Sequence, residues 1–251
     1  MWQILKYIVK NNHFISIPKY LILGSVFQFF KRVTNSIISK QIFNEKMLFL
    51  YPKCNVSSMY TYTAIPDRKE IMSIRKLASK DTVFLDVGAN IGSYSISMMD
   101  LCEEVIAFEP HPYTAMRCKM NFLLNGKPEE MVKQMALSNK VGNISFSDYG
   151  GSSTINHILN DSNGIKVEVT TLDDFIVEYD EHKSKQYILK VDVEGFEKQV
   201  FEGGKVFLSD YCIRGILFEC FSPQHVLDLL KSYGYQNIIK VDGDNYLATK
   251  D

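Results

Sequence analysis

What the chain lacks narrows it first. Its five cysteines (Cys54, Cys102, Cys118, Cys212 and Cys220) include no C-x-x-C pair and no histidine-spaced ligand pattern. That excludes a thioredoxin-like redox motif and the usual zinc sites. An odd, scattered set fits a reducing cytoplasm, where cysteine fills small apolar gaps. A bias to one charge sign is missing as well. The 28 Lys and Arg stand against 29 Asp and Glu, a formal net charge of −1, so nothing global points to a nucleic-acid partner. Internal repeats and low-complexity tracts are absent. The most apolar run, Tyr20 to Phe30 (YLILGSVFQFF), would reach about 16 Å as a helix, roughly half of a bilayer core. It is not expected to cross a membrane. Nor does it read as a signal peptide, because Lys31-Arg32 follow it in place of a small-residue cleavage site.

What is present suits an α/β domain with a short appendage. The 251 residues are enough for a sizeable core, and 46% hydrophobic with 23% charged residues is ordinary globular composition. Up to Lys46 the chain carries seven basic residues against the single acid Glu45. Three helices are predicted there, Trp2 to Val9, Lys19 to Val33 and Thr34 to Phe43, with Pro18 placed near a helix start. Residues 15–33 are expected to form a contact. A helical lid or a dimer contact is preferred over a peripheral membrane contact, since an interfacial helix needs a clear polar face and this one is apolar almost all round. Met47 to Pro66 reads as an irregular connector rich in tyrosine. The chain thus divides into a helical extension and connector, 1–66, and a main domain, 67–251, opening with a helix from Asp67 to Ser79.

From Asp81 short apolar runs alternate with helical stretches. Strands are predicted at Thr82 to Asp86, Val105 to Glu109, Met131 to Leu137, Asn143 to Ser147, Lys166 to Thr170, Tyr187 to Val193 and Arg214 to Glu219. Helices are predicted at Gly92 to Leu101, Pro112 to Asn125, from Phe196, and from Pro223 to Tyr233. Such alternation implies a parallel sheet with helices on both faces. Asn237 to Val241 and Asn245 to Thr249, joined through Asp242-Gly243-Asp244, form a hairpin signal. The sheet must therefore contain an antiparallel strand at its end, which dinucleotide-binding folds normally lack.

The first strand runs into Asp86-Val87-Gly88-Ala89-Asn90-Ile91-Gly92. Glycines there let the backbone approach a ligand, and the following helix offers N–H groups to a carboxylate. About twenty residues on, Glu109 is an acid placed to accept ribose hydroxyls. The glycine pattern is GxxxG and not the GxGxxG of a nicotinamide-dependent oxidoreductase. In this geometry an adenine would sit at Met135-Ala136-Leu137-Ser138.

DVGANIG, FEP at Phe108 to Pro110, ALS at Ala136 to Ser138, TLDDF at Thr171 to Phe175 and LKVDVEGFE at Leu189 to Glu197 together resemble the FkbM family of methyltransferases. The resemblance spans roughly Asp81 to Cys220. It implies a class I methyltransferase, Rossmann-like fold: a mostly parallel seven-stranded sheet with an antiparallel C-terminal hairpin strand. It also implies S-adenosylmethionine as donor and O-methylation of a sugar, glycan or related small molecule. Cofactor contacts are expected at Asp86, Gly88, Ala89, Asn90, Gly92, Glu109, Pro110, Ala136, Ser138 and Asp192.

A hydroxyl acceptor must lose its proton, which calls for a general base. Lys190, Asp192 and Glu194, at the end of the strand Tyr187 to Val193, would share one face if the strand stays extended. Asp192 is expected to face the cofactor and acceptor, with Glu194 orienting or deprotonating the substrate. Glu194 starting the next helix is the competing reading. Glu219 could meet these acids across the cleft. Three acids could hold a divalent cation, but no fourth ligand is evident and no metal is assigned. His111 is better suited to capping than to catalysis. Ser152, Ser153 and His157, on the excursion after Leu137, are the candidate substrate contacts. Competing functions are a methyltransferase acting on protein or nucleic acid and a non-catalytic binding module. The absence of a [DN]PP[YF] stretch, replaced here by DVEG, weighs against an amino-directed nucleic-acid enzyme.

Overall fold

A computed structural model of the chain describes residues 2–146, 158–159, 164–180 and 184–250. The first elements are α1 (Trp2–Asn11) and α2 (Ile17–Val33), with Pro18 in the first turn of α2. The predicted third helix is absent. Ile38–Gln41 is instead a strand, β1, paired antiparallel with β2 (Met47–Leu50). The turn between them holds Asn44 and Glu45 at φ 33° and 67°, a left-handed pair of the kind tight hairpins require. The connector is also ordered: after β2 it forms α3 (Asn55–Tyr62). Leu48 and Leu50, buried on alternate positions of β2, fix this hairpin against the main core. The next helix, α4 (Arg68–Arg75), is shorter than expected and is preceded by Asp67 in the left-handed region, φ 48°.

The main sheet begins with β3 (Thr82–Val87), whose six residues are all buried, as a central parallel strand covered on both faces should be. α5 (Ser93–Met98), β4 (Glu104–Phe108) and α6 (Pro112–Leu124) follow. The predicted strand Met131 to Leu137 is two strands in two sheets. β5 (Val132–Lys133) pairs with β4, whereas β6 (Ala136–Leu137) pairs with a later strand. That second sheet has the order β6, β9 (Ile165–Thr170), β7 (Gly142–Phe146), β8 (Ile158–Leu159).

The chain returns to the main sheet through α7 (Leu172–Tyr179) and β10 (Gln186–Val191). After α8 (Glu197–Glu202) and α9 (Lys205–Asp210) comes β11 (Cys212–Glu219), then α10 (Gln224–Ser232). The terminal hairpin is β12 (Asn237–Asp242) and β13 (Asn245–Thr249). The seven strands lie in the order β12-β13-β11-β10-β3-β4-β5. β11, β10, β3, β4 and β5 run parallel, and β13 runs antiparallel between β11 and β12.

Two apolar clusters fill the faces of this sheet. Phe84, Ile188 and Leu217 point to the side covered by α4, α5, α6 and the β1–β2 hairpin. Leu85, Leu189 and Phe218 point to the side covered by α7 to α10. Each such large side chain contributes about 2 kcal/mol on burial. Leu48, Leu50, Tyr51 and Tyr60 belong to the first cluster, so residues 47–62 pack into the same core as the sheet.

Candidate active site

The ends of β3, β4 and β10 meet at one pocket, where ligands bind in open parallel sheets. Gly88, directly after β3, has φ +80°, and a Cβ there would stand 1.9 Å from the backbone oxygen of Asp192. The segments leaving β3 and β10 touch, and only glycine fits between them. Gly92 closes the turn at φ +82° and caps α5; a Cβ there would lie 2.8 Å from Cys118 Sγ. Asn90 sits at φ 53°, and its side-chain oxygen accepts from Ile91 N at 2.8 Å.

Glu109 is buried at the end of β4 and held from two sides. Oε2 accepts from Asn90 N at 2.9 Å and Oε1 accepts from His111 N at 3.0 Å. Burial pushes its pKa up to about 7 against the pull of these two N–H groups and of Lys190. Gly88, Ala89, Asn90, Glu109, Pro110 and Ala136 all line the pocket. Asp86 is fully buried beneath the turn and outside the lining: its Oδ2 accepts from Ser95 N at 2.9 Å and Ser95 Oγ at 2.6 Å. Asp86 thereby ties β3 to the first turn of α5, and its Oδ1 has no hydrogen-bond partner among the described residues. Burial raises its pKa. Gly92 and Ser138 also lie behind the wall, Ser138 with its carbonyl packed against Gly203.

On the opposite side stand Lys190, Asp192 and Glu194. β10 ends at Val191, so the extended run to Glu194 does not form. Glu194 is left-handed at φ 53° and Gly195 follows at φ +98°. The chain turns there, and α8 starts at Glu197 and not at Glu194. Glu197 Oε1 accepts from Gly195 N at 3.0 Å and Val193 N at 3.3 Å, which holds the turn.

Lys190 is buried and donates to Asp192 Oδ2 at 2.9 Å, its ammonium 4.8 Å from the Tyr94 ring centre. Burial works to lower its pKa, but the charges of Asp192 and Asp86 outweigh it and hold it high. Glu219, at the end of β11, sits behind Asp192 and hydrogen-bonds to it. Burial, then Asp192, raise the Glu219 pKa to about 8.

The pocket has a wall that the sequence pattern did not signal. Tyr60 and Met59 from α3, with Pro66 and Asp67, line it. Asp67 accepts a hydrogen bond from Tyr94. Burial and then the neighbouring Glu70 raise its pKa to about 6, with Lys190 opposing. His111 is the N-cap residue of α6 but makes no side-chain cap bond. Among the described residues no cluster of His, Cys, Asp and Glu could hold a metal ion. Ser152, Ser153 and His157 lie outside the described residues.

Six parallel strands, an antiparallel strand β13 between β11 and β12, a glycine turn leaving the central strand and a buried acid ending its neighbour define a class I methyltransferase, Rossmann-like fold. Residues 86–236 match the methyltransferase FkbM domain. The chain belongs to that family. It is also similar to the hexuronic acid methyltransferase AglP of Haloferax volcanii, 32% identical over 127 residues that make up 50% of this chain and 51% of that protein. The chain thus matches about half the length of this curated relative. Among solved structures, it overlaps the Pyrococcus abyssi tRNA (uracil-54, C5)-methyltransferase in complex with S-adenosyl-L-homocysteine at TM-score 0.48, with 10% identity, 85% of this chain and 43% of that one. It overlaps the precorrin-6y C5,15-methyltransferase of Geobacter metallireducens GS-15 at TM-score 0.44, with 13% identity, 74% of this chain and 90% of that one.

Proposed function

We propose that the protein transfers a methyl group from S-adenosylmethionine to a hydroxyl of a sugar, glycan or related small molecule. The observation that carries the reading is the convergence of the Gly88 turn, Glu109 and Asp192 on one pocket. The residues present suit the donor. The Gly88 cradle admits a close backbone approach, and Glu109 offers a fixed carboxylate to a pair of ribose hydroxyls.

The donor supplies a methyl already activated on a sulfonium, so the protein's task is alignment and exclusion of water. The acceptor oxygen bonds to the methyl carbon as the carbon–sulfur bond breaks, and the hydroxyl proton passes to the Asp192–Glu219 pair. Lys190 holds Asp192 in place through its ammonium. Glu219 acts through Asp192, because it does not reach the pocket wall itself. The sugar class draws support from the name of the Haloferax relative and from the acids around the acceptor side, which can accept from several hydroxyls.

The test is a screen of sugar and glycan acceptors with labelled donor, read by mass spectrometry of the product. A methyl on a sugar oxygen, lost in Asp192→Ala, is the expected result. Absence of donor binding by calorimetry, or transfer only to protein or RNA, would remove the proposal.

A further inference from the structure

Charge is distributed unevenly along the chain. Residues 1–46 carry seven basic side chains and one acid, a net +6, while the remaining 205 carry a net −7. The cationic part is also where large apolar side chains face outward. In α2, Tyr20, Gly24 and Phe27 are buried against the body. Ile22, Val26, Phe29 and Val33, spaced four, three and four apart along the other side, are 64, 45, 63 and 65% exposed. This is an amphipathic stripe turned the wrong way round for a helix whose partner is water. Phe14 and Ile15, at the corner between α1 and α2, are 83 and 79% exposed, and Trp2 is 67% exposed. Lys6, Lys10, Lys19 and Arg32 are exposed among these residues. Scattered apolar exposure needs no explanation; a contiguous outward stripe of this kind does.

We infer that this layer of α1 and α2 docks onto an anionic phospholipid surface, with Ile22, Phe29, Val33 and the Phe14-Ile15 corner entering the acyl boundary and the lysines and arginine lying among the headgroups. Three observations select this occupant. No helix among the described residues is long and apolar enough to cross a membrane, which leaves a helix lying in the interface. An apolar face ringed by cations is the composition such interfaces take. Two copies packed through the same face would bring like charges together, so the five basic residues of α1 and α2, with no acid among them, oppose a second copy and favour a negatively charged surface. The sequence-level objection, that α2 is apolar all round, falls away once one side is seen buried in the protein.

Trp2 is the only tryptophan, so intrinsic fluorescence reads this face directly. The full chain is mixed with vesicles of phosphatidylcholine alone or of phosphatidylcholine with phosphatidylglycerol, and binding is followed by emission and co-sedimentation. Expected is a blue shift with sedimentation on the anionic vesicles, lost in high salt. Lys31→Glu with Arg32→Glu should weaken the partition at least about tenfold. Ile22→Asp with Phe29→Asp should abolish it, with melting temperature unchanged because both side chains are exposed. No blue shift on either vesicle overturns the inference. So does a concentration-dependent dimer dissolved by Phe29→Asp without vesicle binding, which would assign the face to a second copy.

Discussion

Replacing Lys190 by Met keeps the length of the stem and deletes the charge. The ammonium lies 2.9 Å from Asp192 Oδ2, with side-chain exposures of 6 and 31%. It is also among the charges that lower the pKa of Asp67, Asp86, Glu109 and Glu219. Breaking a buried pair costs about 3–5 kcal/mol, and partial exposure of Asp192 puts the loss near the lower end, about 3 kcal/mol at pH 8. The pH dependence follows from the carboxyls. Glu109, Glu219 and Asp67 have folded pKa values of about 7, 8 and 6, above the 4.5, 4.5 and 3.8 of unperturbed groups. The folded state therefore holds protons that the unfolded chain has already lost, and stability falls as pH rises through roughly 4 to 8. Without Lys190 those values climb further and the fall steepens. Lys190 itself, raised in the fold, is fully charged across this range, so its own titration adds no slope. Urea denaturation followed by circular dichroism at about pH 5 and 8 should show the larger destabilisation at the higher pH, with about half or less of it at the lower. Equal losses at both would mean that Lys190 matters through packing alone and that the acid cluster is not electrostatically linked to it.

Other outcomes follow from the same pocket. S-adenosylhomocysteine binding near pH 6 should release protons, since ribose hydroxyls favour the ionised form of Glu109; calorimetry in buffers of different ionisation enthalpy should find close to one proton near pH 6 and little near pH 8. Glu109→Ala should weaken that binding substantially. Gly88→Ala should abolish it, because the added Cβ meets the Asp192 carbonyl and the residue must hold φ +80°; wild-type affinity would dissolve the cradle. Turnover should rise with pH through about 8 as Glu219 loses its proton, and Glu219→Gln should flatten that profile.

The parallel sheet and its terminal hairpin were legible because periodicity and turn residues are local signals. The Gly88 turn and Glu109 were legible for the same reason: a strand, a glycine turn and an acid at a fixed distance. Four features were not. The hairpin of β1 and β2 turns on Asn44-Glu45 without a glycine, and its strands are held by Leu48 and Leu50 reaching a core assembled far downstream. Met131 to Leu137 reads as one apolar run, but partners in two separate sheets divide it. The extended reading of Lys190 to Glu194 failed at the left-handed Glu194, which the following Gly195 could have signalled. Tyr60 and Asp67 carry no local mark at all; tertiary packing alone brings them to the pocket.

The region matched by the family begins at residue 86, yet Met59, Tyr60, Pro66 and Asp67 line the same cleft. The family's domain thus stops short of this wall, and under the proposed reading the segment before residue 86 supplies part of the surface that the acceptor meets. Grafting residues 1–67 from one relative onto another should transplant the choice of acceptor and leave donor affinity nearly where it was.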